Sequence, residues 1–179
     1  MNVLNKLVES KQIIKAKNKR DKYYQQSYGI IPTDKQLQVI ESNEEFLELT
    51  FARREGCSTA TMIKAIEYAI NNPRTRVFLL NYNKGIANNR ADIMRDILSN
   101  SNLNKYVLRT TRNPNLIEFF NGSRINILDR DIQSFRGAAV NCLIIDIPKW
   151  LREEEIINVA LSCCYRSANR QVIMLDQVG

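Results

Sequence analysis

Two stretches of this chain carry residue types that could handle phosphate and a metal ion. The first is Ala52-Arg53-Arg54-Glu55-Gly56-Cys57-Ser58-Thr59, between an alternating apolar segment and a helical one. A loop that enters a helix holds anions, because first-turn N–H groups lack helical acceptors and the helix dipole is positive there. The full phosphate loop reads G-x-x-x-x-G-K-[ST]. Gly56 and Ser58 match it, the first Gly is absent, and Cys57 stands at the Lys position. The second stretch is Cys142-Leu143-Ile144-Ile145-Asp146, an apolar run ending in a carboxylate. Open α/β sheets place such an Asp at the carboxyl edge, where it can reach Mg²⁺. Many ATPases follow that Asp with a Glu that orients water; here Ile147 and Pro148 follow.

Other chemistries are excluded by composition. The chain has 179 residues and no His, so Ser-His-Asp and Cys-His catalysis are ruled out. Its four cysteines (Cys57, Cys142, Cys163, Cys164) form no Cys-x-x-Cys pair, which speaks against zinc. Free thiols without a signal peptide point to a reducing compartment. No apolar run approaches the roughly 18–20 residues of a membrane span. At 44% hydrophobic and 25% charged, the composition is that of an ordinary globular domain.

The elements that must position the two stretches follow from periodicity. Residues 1–29 read as a basic helical segment, with Val3, Leu4, Leu7 and Val8 as an apolar stripe. Residues 1–22 carry seven basic side chains against Glu9 and Asp21, a net +5 of the whole chain's +7. Such a segment suits a polyanion or forms a solvated helix face. Thr33 caps a short helix through Asn43, and residues 46–52 alternate as a strand. Ser58 opens a helix that ends before Pro73. Residues 76–82 form a buried strand and 84–99 an amphipathic helix. Asn121-Gly122 turns a hairpin between 116–120 and 124–128. Residues 141–146 form a second buried strand, Glu153, Glu154 and Glu155 open a helix, and 171–175 form a last strand. This order predicts an α/β fold, a mainly parallel sheet with helices on both faces.

The series Pro32 and Gln36, the Arg53-Arg54 loop, Asn72-Pro73, Asn121-Gly122-Ser123-Arg124-Ile125, Arg136-Gly137, the Asp146 strand and 171–175 resembles the ATPase domain of the viral large terminase subunit. That subunit drives DNA packaging in tailed phages. The resemblance covers residues 30–179, so 1–29 is expected as an appended helix. It implies an ATP- and Mg²⁺-binding site: Gln36 near adenine, Arg53 as the loop arginine and Asp146 beside the metal. With the loop reading, Arg53, Arg54, Gly56, Cys57, Ser58 and Thr59 are expected on the phosphates, and Ser58 with Asp146 on the metal. Arg53 and Asp146 are the expected catalytic residues.

The chain departs from that pattern at Cys57 (for Lys), at Ile147 (for the carboxylate) and at Asp176-Gln177 (for the coupling motif). No nuclease domain follows before Gly179. Slow or absent ATP turnover is therefore expected, and the alternative is an inactive fold serving as a DNA-binding or assembly module. The implied partners are double-stranded DNA, a homo-oligomeric ring, and a portal or small terminase subunit, with no membrane. The implied place is the host-cell cytoplasm, at the procapsid. Four further expectations concern single side chains. Trp150 anchors packing at the sheet edge, and Cys163-Cys164 lie half in the core. Arg109 and Arg112 flank a loop that touches DNA or, by default, carries solvated charge. Tyr23 and Tyr24 either pack or stack on bases.

Overall fold

The computed structural model describes residues 3–131, 137–164, 167 and 169–178. Its centre is a seven-stranded sheet in the order β1-β7-β6-β2-β5-β4-β3. The strands are β1 (Phe46–Ala52), β2 (Arg76–Asn81), β3 (Val107–Arg112), β4 (Asn115–Phe119), β5 (Arg124–Leu128), β6 (Cys142–Asp146) and β7 (Gln171–Val178). Five strands, β1, β7, β6, β2 and β5, run parallel; β4 and β3 add antiparallel pairs at one edge. The helices are α1 (Val3–Tyr28), α2 (Asp34–Ile40), α3 (Cys57–Asn71), α4 (Lys84–Ser99) and α5 (Glu154–Cys164). The expected α/β architecture is the one observed.

The continuous apolar runs 77–80 and 142–145 become the central strands because both of their faces are covered. Side chains of a strand alternate between faces. Val77, Leu79, Cys142, Ile144, Ile173 and Leu175 therefore join the core formed with α1 to α4. Phe78, Leu80, Leu143, Ile145 and Val172 join the core beneath α5. At about 25 cal/mol per Å² of buried apolar area, these two layers are the dominant stabilising term.

The hairpin turn forms where Asn121-Gly122 predicts it, with Gly122 at φ 81°. It also terminates α3: Asn121 Nδ2 donates to the Ala69 and Ile70 carbonyls at 2.9 and 3.0 Å, and Ser123 Oγ to the Ala69 carbonyl at 2.6 Å. These bonds satisfy carbonyls that a helix end leaves without partners.

Several expectations need correction. Helix α2 stops at Ile40 rather than Asn43. Arg109 and Arg112 lie exposed on strand β3, the first arm of a second hairpin, with Arg112 beside the two-residue turn into β4. Trp150 is 78% exposed and anchors nothing. Cys163 and Cys164 are both buried, because α5 turns this end onto the sheet. Tyr24 is buried and Tyr23 exposed. The hydroxyls of Tyr23 and Tyr28 both donate to Glu67 Oε1 at 2.6 Å, which docks the end of α1 on α3. Burial and the Glu67 carboxylate push the Tyr28 phenol well above its ordinary pKa. Stacking of Tyr24 on bases is thereby excluded. The side chains of Val3, Leu4, Leu7 and Val8 lie outside the described residues, as does Arg136.

Candidate functional site

The 53–59 loop leaves the carboxyl end of β1 and enters α3 at Gly56, the N-cap, which is left-handed at φ 80°. Helix α3 begins at Cys57, one residue before Ser58. A Cβ on residue 56 would stand 2.2 Å from Gln36 Nε2, so any other residue would displace the Gln36 amide and strain the left-handed backbone. No side chain caps this helix, so its first-turn N–H groups keep their anion-binding capacity. Glu55 holds the turn: its Oε2 accepts the Ala52 N–H at 2.7 Å and pairs with Lys35 Nζ at 2.5 Å. Both contacts lower the Glu55 pKa, the Lys35 bond most. Arg53 N–H donates to the Val178 carbonyl at 3.1 Å, extending the sheet by one bond. The Arg53 and Arg54 side chains are exposed, and Ser58 and Thr59 are half-buried.

Gln36 sits under the loop. Its Oε1 accepts the Thr33 N–H at 2.9 Å in a capping box, and its Nε2 donates to the Gly56 carbonyl at 3.2 Å. The structure thus brings Gln36, Gly56, Cys57, Ser58 and Asp146 into one cluster at the carboxyl end of the sheet, as the sequence suggests. Arg53 and Arg54 rim it with exposed side chains.

Asp146 is the centre of the cluster, its side chain 1% exposed. Arg90 Nη1 forms an ion pair with Oδ2 at 2.5 Å, though the N–H is not aligned as a hydrogen bond. Thr61 Oγ1 lies 3.2 Å from Oδ2 and 2.8 Å from the Ser58 carbonyl, so its single proton is shared between the two acceptors. Gln177 Nε2 donates to Oδ1 at 3.3 Å, and Cys57 Sγ lies 3.8 Å from the same oxygen. Burial first, then the Asp146 charge, pushes the Cys57 thiol up to about 12. Cys57 is therefore a protonated donor, not a nucleophile. Arg90 Nη2 also donates to Ser58 Oγ at 2.8 Å, so one guanidinium bridges the two expected metal ligands.

This geometry does not fit the expected Mg²⁺. Magnesium wants ligand oxygens at about 2.1 Å and keeps several waters. Here the space between Ser58 and Asp146 holds a guanidinium, both carboxylate oxygens already have donors, and the carboxylate is almost sealed from water. Among the described residues, no three carboxylate or thiol groups gather to hold a metal.

Ile147 is 1% exposed and packs in the core beneath α5. It points away from the cluster's polar groups, and a glutamate placed there would be desolvated. Asp176 and Gln177, which replace the coupling motif, have local roles. Asp176 Oδ1 accepts the Lys149 N–H at 2.7 Å, and Gln177 tethers the end of β7 to Asp146.

Arg90, Thr61, Gln177 and Asn81 are the site residues that sequence reading missed. Arg90 carried a legible signal. On α4 it lies between Ala87 and Ala91 on the face that continues to Met94 and Leu98, all buried. A charge at a core position needs a partner there. Asn81, paired in register with Asp146, had no such signal.

No protein-family profile and no curated protein matches this sequence. Solved structures do match its fold. The ATPase domain of the Thermus phage P74-26 large terminase superposes with a TM-score of 0.71 at 14% identity, over 87% of this chain and 68% of that one. The HK97 bacteriophage large terminase superposes with a TM-score of 0.69 at 11% identity, over 80% of this chain and 33% of that one. A large terminase from another thermophilic bacteriophage, solved in complex with ATP-gamma-S, matches with a TM-score of 0.62 at 14% identity, over 80% of this chain and 37% of that one. The fold is therefore the one seen in the ATPase domains of phage large terminases. The chain spans about a third of the full-length terminases it matches.

Proposed function

We propose that this chain is a nucleotide-binding domain of the DNA-packaging motor type, with weak or absent ATP hydrolysis of its own. The observation that carries this reading is the uncapped start of α3. Gly56, Cys57 and Ser58 place free N–H groups beside the Asp146 strand end, in a fold shared with terminase ATPase domains. The ATP phosphates would lie on the backbone of residues 54–59, with Arg53 and Arg54 supplying positive charge and Gln36 on the adenine side. The expected Mg²⁺ at Ser58 and Asp146 is not carried into this reading, because Arg90 fills that position. Slow turnover follows from Ile147: its side chain neither orients water nor takes a proton, a contribution of about 10²- to 10⁴-fold. Double-stranded DNA, subunits of a ring and a portal or small terminase subunit are the partners such a domain would serve, at the procapsid in the host cytoplasm. No described helix is long and apolar enough to cross a membrane.

A second reading is an inert module for DNA binding or assembly. The buried Ile147 and the closed Arg90–Asp146 pair favour it. ATP titration by calorimetry, followed by a turnover assay on the same sample, separates the two. Binding that weakens in Arg53→Ala/Arg54→Ala, with turnover below roughly 1 s⁻¹, supports the first. A folded protein that binds no ATP leaves only the second.

A further inference from the structure

We propose that Arg90 is a built-in cation standing where a divalent ion would stand, so that the Ser58–Asp146 site excludes metal. Arg90 reaches the cluster from α4, a different element from the phosphate loop, and its side chain is 9% exposed. Its two terminal nitrogens contact Ser58 Oγ at 2.8 Å and Asp146 Oδ2 at 2.5 Å, the two oxygens a metal would have to join. A guanidinium is planar, permanently charged and weakly hydrated, so it can neutralise a buried carboxylate without a water shell. Mg²⁺ cannot, because it dehydrates reluctantly. Thr61 Oγ1 at 3.2 Å from Oδ2 and Gln177 Nε2 at 3.3 Å from Oδ1 crowd the remaining approaches to the carboxylate. The cation that usually travels with the nucleotide is here part of the protein. Resting on the nucleotide reading above, this implies that polyphosphate binds the loop without a divalent partner.

The test uses Mn²⁺ alone as the metal probe, followed by electron paramagnetic resonance on the full chain. The wild type should show no Mn²⁺ binding that Asp146→Asn removes. Arg90→Ala, and Arg90→Gln as the better-packed variant, should gain a Mn²⁺ site that the added Asp146→Asn abolishes. A wild-type Mn²⁺ site lost in Asp146→Asn would overturn the proposal, as would folded Arg90 variants that gain none. If neither Arg90 variant folds, the Asp146→Asn comparison on the wild type decides alone. ATP affinity of the wild type should be equal in Mg²⁺ and in excess EDTA; binding about tenfold weaker in EDTA contradicts metal exclusion. Absence of ATP binding in both buffers would remove the nucleotide reading and leave the Mn²⁺ result standing.

Discussion

At the amino end of the central strands, buried polar side chains are pinned to backbone; at the carboxyl end the groups around Asp146 are held mainly by one another, with Asn81 beside them tied to the Leu79 and Leu128 carbonyls. At the amino end, Lys64 Nζ donates to the Ile40 and Ser42 carbonyls at 3.3 and 2.5 Å. Gln171 Nε2 donates to the Ser42 and Glu44 carbonyls at 2.9 and 3.0 Å, and Asn141 Oδ1 accepts the Arg76 N–H at 2.9 Å. Backbone partners are fixed by the fold, so these groups can only stabilise it. At the carboxyl end, Arg90, Asp146, Ser58, Thr61, Cys57 and Gln177 satisfy one another. Two buried atoms there, Asn81 Oδ1 and Arg90 Nη1, lack a hydrogen-bond partner. Side chains that depend on side chains can be rearranged by a ligand, and unsatisfied polar atoms are where function concentrates. The contrast separates a structural end from a chemical one.

The largest expected effect tests whether the carboxyl end is also structural. Asp146→Ala should lower stability by about 3–5 kcal/mol, because it leaves the Arg90 guanidinium buried and unpaired. Replacing both partners, Arg90→Met with Asp146→Leu, should recover much of that loss. Urea unfolding of the three variants measures it; a loss below about 1 kcal/mol in Asp146→Ala would mean the pair is solvated and the contrast between ends is false.

The amino end has its own test. Lys64→Met should cost about 1–3 kcal/mol, since the Ile40 carbonyl then loses its buried donor. Mn²⁺ and ATP titrations of the variant should match the wild type. A change in either would show that the two ends communicate.

Alkaline pH should weaken both ends together. Burial pushes the Cys57 and Cys142 thiols up to about 12 and Cys164 to about 11, from 9.0. The folded state then holds protons that the unfolded chain has released. This contribution is complete below about pH 9 and is lost as pH rises toward the folded values. Unfolding midpoints measured up to about pH 11 should fall, and Cys142→Ala should make the decline shallower. A flat profile would show that the thiolates form without opening the core.

The smallest effect is expected at the exposed edge of the sheet. Arg109 pairs with Glu118 across β3 and β4, but the arginine is solvent-exposed and screened. Arg109→Ala should leave the thermal midpoint unchanged within error. A clear drop would place a third stabilising region at this edge.

Local sequence determined the elements. Apolar runs of the right length, Asn121-Gly122, Thr33 with Gln36, and Gly56 before a helical segment each carry their instruction within a few residues. The strand starts and the Gly56 entry to α3 were legible for that reason. Strand β3 was not, because its Arg109, Thr110, Thr111 and Arg112 face solvent at an edge and show no apolar alternation. Nor was the burial of Cys164, which depends on how α5 lies on the sheet. Above all, the role of Arg90 was decided in three dimensions. Sequence separates it from Ser58 by 32 positions and from Asp146 by more, and only the crossing of α4 over the carboxyl end closes that distance. The chain itself determined that a loop with Gly56 and Cys57 before Ser58 enters a helix beside an Asp-ended strand. Tertiary packing decided that an arginine from elsewhere neutralises the carboxylate, because a buried charge takes whatever partner the fold brings within reach.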